Sequence, residues 1–437
     1  MGTQQNIHNL AEELNGILQN HTAGRLLSDL GRRMYFPKGI IAQSDEAKRL
    51  GKNANATIGT AVQNGEPMML SCLKKYLPGL TPAETVGYAP TAGNPKLREM
   101  WKGFLLEKNP SLKNKKISLP VLVPGLTAGI SFLADLFLDE SCALLTADPY
   151  WENYALIVES RRNSSIHQFV MFENGKFSIR NFREALAKEA ASGAVRLLLN
   201  FPQNPSGYTP YREEAEEICA ALTEIAGKGA DVLVWCDDAY FGLNYEEGIH
   251  DESLFAKLAD AHERILAVKI DGPTKEDYAW GFRTGFVTFA AKGMTDALYE
   301  ALTRKMMGAI RSSVSCAATE SQSIILKAFD DPSLEGEKER FKNILQARYN
   351  RVKACVAAHR GSPAIGPLPF NSGYFMCLRC TGVDAETVRR ELLQKHGIGT
   401  VAIDGSHLRV AFSSLEEDKI EFVYDTIYKT AEELAAK

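Results

Sequence analysis

Residues 264–290 read RILAVKIDGPTKEDYAWGFRTGFVTFA. Two apolar runs, RILAVKID and TGFVTFA, flank a Gly-Pro-Thr turn that carries Lys275, and Arg283 stands just before the second run. Their apolar residues are continuous rather than alternating, as in strands buried on both faces. Runs of the same kind lie upstream: LPVLVPG at 119–125, CALLTADP at 142–149, SIHQFVMF at 165–172, VRLLLNFP at 195–202 and DVLVWCDD at 231–238. Between them lie segments of helical period such as REALAKEAA at 183–191 and YREEAEEICAALTEIAGKG at 211–229, the latter with acid in its first turn and glycine after its last. Strand and helix in turn predict crossover units, hence a mainly parallel seven-stranded sheet with helices on both sides.

The pattern changes near residue 310. Long helical stretches, notably 334–359, lead to a Pro- and Gly-rich break, GSPAIGPLPFNSGYF at 361–375, then to short strand candidates and a terminal helix from about 415. A chain of 437 residues also exceeds one ordinary domain of ~150 residues. The expected fold class is α/β: a large domain over 71–310 and a smaller α+β domain over 311–437, with 1–70 packing against the smaller one.

Lys plus Arg total 50 against 54 Asp plus Glu, a net charge of −4 that offers no broad field to nucleic acid or anionic lipid. The start, MGTQQNIHNLAEELN, has no positive region followed by an apolar run, and no later segment approaches ~18 consecutive apolar residues. A cytoplasmic protein without nucleic-acid or membrane partners is expected. The eight cysteines fall mostly inside apolar runs and read as buried thiols. Cys377 and Cys380 form a C-x-x-C, but no second pair or histidine cluster completes a zinc site, so no metal is expected.

In open parallel sheets, ligands bind beyond the carboxyl ends of the strands. After the first run, PGLTAGISFLADLF at 124–137 opens a helix from a glycine turn, where exposed N–H groups and the helix dipole suit a phosphate. After the second comes Trp151 in DPYWENY, and after the fourth Asn204 in NFPQNPSGYTP. The fifth ends in Asp237 and Asp238 with Tyr240 beyond, and the sixth is followed by Lys275. A tight turn, a rim aromatic, turn chemistry and a helix cap explain these features one at a time. An aspartate ending a buried strand is nonetheless costly unless something positive meets it. One ligand explains the whole set if it is flat, carries a phosphate, has a basic ring atom that wants a carboxylate, and accepts a lysine amine. Pyridoxal phosphate meets all four demands.

From about residue 55 the chain resembles a fold type I aminotransferase of the class I/II family, of the aspartate/aromatic type. The resemblance rests on an ordered set: NATIGTA, YAPTAGNPKLREMW, GLTAG, DPYWENY, NFPQNPSG, CDDAYFG, TKEDYAWGFRTG and HLRVAF. It implies transamination between an L-amino acid and a 2-oxo acid by a ping-pong mechanism, through a Schiff base of Lys275 with pyridoxal phosphate. Lys275 would also shuttle the proton. Asp237 would pair with the pyridinium nitrogen, while Tyr240 and Asn204 would hydrogen-bond the ring's phenolic oxygen. Trp151 would stack on the ring. Ala128 and Gly129 would offer backbone N–H groups to the phosphate, with Arg283 as its charge partner. Arg409 would clamp the substrate carboxylate, helped by the backbone near Gly59 and by Asn204. Tyr88 would reach the site of a neighbouring copy, which implies a homodimer.

Two departures stand out. Many relatives carry Ser or Thr three residues before the lysine, where this chain has Gly272, leaving Thr274 as the local hydroxyl. The stretch MYFPKGIIAQSDEAKRLGKNANATIG at 34–59 is long and charged. For substrate choice, Arg311 is the candidate for a dicarboxylate pocket, and Tyr35, Phe36 or Tyr374 for an aromatic one. The alternative chemistry on the same fold is a pyridoxal-phosphate lyase or decarboxylase. A nicotinamide dehydrogenase would need G-x-G-x-x-G after the first strand, and GLTAGI is not one.

Overall fold

The computed structural model describes residues 7–18, 27, 29–34 and 40–437; Tyr35 and Phe36 lie outside these. The seven runs form one sheet of strands β1 (Val121–Val123), β2 (Ala143–Asp148), β3 (Ser165–Val170), β4 (Ala194–Asn200), β5 (Asp231–Asp237), β6 (Ile265–Asp271) and β7 (Gly285–Ala290). Their order is β1-β7-β6-β5-β4-β2-β3. Strands β2 to β6 pair in parallel, whereas β7 is antiparallel to both of its neighbours. The reason is local. The 272–284 connection holds only short helical turns, so the chain re-enters the sheet at the end where β6 left it.

The sheet separates two apolar cores. Leu197, Leu199, Val232 and Val234 face one side with Ile218 and Leu222 of helix α2 (Arg212–Gly227), while Leu198, Leu233 and Trp235 face the other with Ile130 and Leu133 of helix α1 (Leu126–Phe137). Alternation of side chains along a strand sets this division. The edge strand β3 departs from burial on both faces: Phe169 alone is buried there, and among the described residues β3 pairs with β2 only.

Beyond β7 a second sheet, of strands β8 (Ile365–Pro367), β9 (Phe375–Cys380), β10 (Val401–Ala402) and β11 (His407–Ala411), is antiparallel in the order β8-β9-β11-β10. The short helix α3 (Pro273–Glu276) follows β6, and the long helices α4 (Leu334–Ala358) and α5 (Ile420–Ala435) pack with the second sheet. Residues Ala54–Asn55 pair in parallel with Ile398–Gly399, and the Gln43 side chain exchanges hydrogen bonds of 3.0 and 2.9 Å with the Ala402 backbone. All eight cysteines are free thiols. Among the described residues no helix is long and apolar enough to cross a membrane.

On the α2 face the sheet buries a charged triad. Lys269, at 1% exposure, hydrogen-bonds Asp238 and lies 3.5 Å from Asp271. Ser253 Oγ donates to Asp238 at 2.6 Å, and Trp101 Nε1 donates to Asp271 at 3.0 Å. Removing the cation strands two carboxylates in a low-dielectric interior. Lys269→Met is therefore expected to cost about 3–5 kcal/mol in denaturant unfolding at neutral pH, and Lys269→Met combined with Asp238→Asn should recover part of that loss. A single variant as stable as wild type would contradict the assignment.

Candidate active site

The carboxyl ends of β2, β4, β5 and β6 converge on a cavity of about 230 Å³ lined by Gly59, Leu126, Thr127, Ile130, Trp151, Tyr154, Asn200, Asn204, Asp237, Ala239, Tyr240, Thr274, Lys275, Trp280, Arg283, Phe375 and Arg409. Strand alternation explains why Asp237 reaches it. Leu233, Trp235 and Asp237 share the α1 face of β5, and Asp238 turns to the other face, toward Lys269. Tyr154 Oη donates to Asp237 Oδ2 at 2.5 Å. Asp237 Oδ1 is buried and accepts no hydrogen bond among the described residues. Burial pushes the Asp237 carboxyl up to about 6, against the pull of the Tyr154 hydrogen bond and the Lys275 charge.

Lys275 projects from α3, whose first residue is Pro273, with its fixed φ suited to a helix start. Its Nζ lies 5.0 Å from the centre of the Tyr240 ring. Burial pushes its ammonium down to about 8, with Asp237 opposing and Arg283 reinforcing the shift. The Tyr240 phenol is raised above its ordinary range by burial, which keeps it a donor.

At the start of α1 the amides of Leu126, Thr127 and Ala128 precede the first intrahelical bond, in which Gly129 N donates to Gly125 O at 3.2 Å. The Gly129 N–H is thus already engaged, and its Cα packs toward Val123 and Val287. Of the two amides expected to face the phosphate, that of Ala128 precedes the first intrahelical bond and that of Gly129 does not. Gly125 has φ +89°, and a β-carbon on it would come within 2.4 Å of Arg283 Nη2. Only glycine lets the guanidinium stand that close to the helix start. Arg283 has φ +50°, and its Nη1 donates to Trp280 O at 3.2 Å. Thr274 Oγ1 faces Thr284 O at 3.4 Å.

Arg409, on β11, is fully buried. Its Nη1 donates to Asn204 Oδ1 at 2.9 Å, its Nη2 to Thr57 O at 3.0 Å, and its Nε has no partner among the described residues. The guanidinium lies 4.3 Å above the Phe375 ring. Asn200 links β4 to β5, since its Nδ2 donates to Asp237 O at 2.7 Å and its Oδ1 accepts from Asn204 N at 2.8 Å.

The cavity thus gathers Lys275, Thr274, Asp237, Tyr240, Asn204, Trp151, Arg283, Arg409 and Gly59, and the helix start places Ala128 nearby. Tyr88 is 94% exposed and lies outside the cavity of its own chain. Arg311 also lies outside, bonded to Ser315. Tyr374 sits one layer behind, donating from Oη to Lys275 O at 2.8 Å. Sequence reasoning missed Tyr154, Asn200 and Trp280. The helical spacing of Tyr154 from Trp151 was the available signal, because it sets both rings on one face of the turn after β2.

Tyr154 keeps one oxygen of Asp237 occupied and its carboxyl ionised. In Tyr154→Phe the Asp237 titration, followed by ¹³C NMR of the carboxyl in cofactor-free protein, is expected to rise above about 6, because a hydrogen bond to the charged form is lost. An unchanged midpoint would contradict that role.

A model of the family "Aminotransferase class I and II" matches residues 70–427. The aspartate aminotransferase of Bacillus sp. (strain YM-2) is 23% identical over 273 residues, 61% of this chain and 63% of that relative, so less than two thirds of the relative's length is spanned. Among solved structures, an aminotransferase from Anaerococcus prevotii superposes with a TM-score of 0.82 at 21% identity, covering 93% of this chain and 99% of that one. A Pyrococcus horikoshii kynurenine aminotransferase in complex with PMP gives 0.78 at 17% identity, covering 95% and 99%. The family's cofactor is pyridoxal phosphate, and the residues present fit it: a buried carboxylate oxygen unpartnered among the described residues, a lysine amine lining the same cavity and a helix start with an adjoining guanidinium. The chain belongs to the class I and II aminotransferase family.

Proposed function

We propose that the chain is a pyridoxal-phosphate-dependent aminotransferase that passes an amino group from an L-amino acid to a 2-oxo acid in two half-reactions at one site. The observation that supports this most is the pairing of Asp237, with a free buried oxygen, and Lys275, with a depressed amine pKa, across a single cavity. Bound there, pyridoxal phosphate supplies an aldehyde for amine exchange and a ring that withdraws electrons from the substrate Cα. Lys275 would hold it and would remove and return the proton at the substrate Cα. Asp237 would keep a proton on the ring nitrogen. Tyr240 Oη and the Asn204 amide would donate to the phenolic oxygen, and Trp151 would cover the ring face. Arg283, Thr274 and the amides around Ala128 would hold the phosphate. Arg409 takes the α-carboxylate in a two-pronged contact beside Gly59.

The reading extends to assembly and place. Tyr88, exposed in its own chain, is free to reach the phosphate of a second copy, which would make the enzyme a homodimer. Residues 71–310 would bind cofactor and 311–437 form the smaller domain against which 1–70 packs, in line with the pairing of Ala54–Asn55 with Ile398–Gly399. Eight unpaired thiols suit a reducing cytosol.

The test is amine exchange with glutamate, aspartate or tyrosine as donor and 2-oxoglutarate as acceptor. Product should require both partners, and Lys275→Ala should lower turnover by at least ~10²–10⁴-fold. Loss of the donor amine with no need for an oxo acid would contradict the proposal. Capture of pyridoxal phosphate by cofactor-free protein should speed up as pH rises through about 8, since the neutral amine is the nucleophile. A midpoint near the ordinary lysine value of about 10.4 would contradict the lowered pKa of Lys275.

A further inference from the structure

Lys275 and the three residues after it are gripped from the C-terminal part of the chain. Tyr374 Oη donates to the Lys275 carbonyl at 2.8 Å. Lys338 Nζ, on α4, lies 2.7 Å from Asp277 Oδ1 and 3.8 Å from Glu276 Oε1. Phe341, one helical turn further along α4, meets the Tyr278 ring edge-on at 4.9 Å. Glu276 has its own partner in Lys108 at 2.6 Å, so Lys338 is committed chiefly to Asp277. The Asp277 side chain is 3% exposed and that of Lys338 13%. Neither oxygen of the Asp277 carboxylate accepts a hydrogen bond among the described residues, so the Lys338 ion pair is what meets its charge.

The backbone explains why such a grip is needed. Tyr278 has φ +54°, a left-handed conformation that a bulky residue holds only where its surroundings impose it. Its amide points back to the Lys275 carbonyl at 3.3 Å, so relaxation at Tyr278 would turn the peptide that carries Lys275. The same α4 and second-sheet unit carries Arg409, with Arg409 paired to Cys377 across β9 and β11.

We propose that Lys338 is a positioning residue for Lys275: its ion pair with Asp277 fixes the strained turn after Lys275 to α4, and so keeps the amine in register with Arg409. The proposal rests on the catalytic role proposed for Lys275. The link is not transmitted through any contact of Lys338 with substrate or cofactor, because Lys338 lies outside the cavity.

The experiment compares Lys338→Met, Lys338→Arg and the double variant Lys338→Met with Asp277→Asn, by hydrogen exchange of the cofactor-free proteins and by kinetics of the loaded ones. In Lys338→Met the amides of residues 275–279 should exchange about tenfold faster or more, and kcat should fall about tenfold or more with KM for the amino donor within about twofold, because misplacing a reacting group costs rate rather than binding. Lys338→Arg should keep both close to wild type. The double variant removes the stranded charge, so it should regain thermal stability while kcat stays low. Recovery of kcat together with stability would overturn the proposal, as would unchanged local exchange in Lys338→Met. If wild type transfers no amine at all, the aminotransferase reading fails, while the exchange data still decide whether Lys338 holds the turn.

Discussion

The rest of the site depends on a carboxylate held at the end of a buried strand. Alternation along β5 sends Asp237 to the α1 face, where Tyr154 satisfies one oxygen and the other has no donor among the described residues. A buried, half-satisfied charge is unfavourable by itself, and burial accordingly pushes its proton affinity up. The neighbouring aspartate meets the opposite fate. Asp238 is neutralised within the fold by Lys269 and Ser253, so it stabilises the sheet and offers nothing to a ligand. Two adjacent acids of the same type thus divide between structure and chemistry because they face opposite sides of one sheet.

The second constraint is close approach. Strand β7 returns antiparallel beside β1, which brings Arg283 onto the Gly125 turn. Gly285 lies close against the Gly125–Leu126 peptide, where a β-carbon would sit a tight 3.0 Å from Leu126 N. Gly272 is similarly close to Thr284 O, at 2.8 Å from a would-be β-carbon. The place where many relatives carry a hydroxyl is therefore too tight for one in this chain. The nearby Thr274 hydroxyl lines the cavity, and among the described residues its one hydrogen bond is long, at 3.4 Å to Thr284 O.

Much of this was legible in the chain itself. Seven continuous apolar runs correspond to seven strands, and residues at five strand ends, from the helix start after β1 to Lys275 after β6, meet around one cavity, because a parallel sheet brings its carboxyl ends to one edge. What was not legible needed neighbours that sequence does not display. The edge position of β3 follows from strand order, and the antiparallel β7 from the lack of a crossover helix. The engagement of the Gly129 amide depends on which residue starts the helix, and boundaries shift by a residue or two in any pattern-based reading. That the Tyr154 hydroxyl meets Asp237 depends on how the turn after β2 folds back onto the end of β5. The grip on the turn after Lys275 joins residues more than fifty positions apart, from 275–278 to Lys338 and Tyr374, and carries no local signature.

The most direct measurement of the central claim is to incubate the purified protein with pyridoxal phosphate, reduce with borohydride, and map the modified lysine by peptide mass spectrometry. The account predicts one modified residue, Lys275, because among the described lysines it is the one that lines the cavity with Asp237, with its pKa brought down to about 8. Modification at Lys269, at Lys338 or only at exposed surface lysines, with Lys275 left intact, would contradict it.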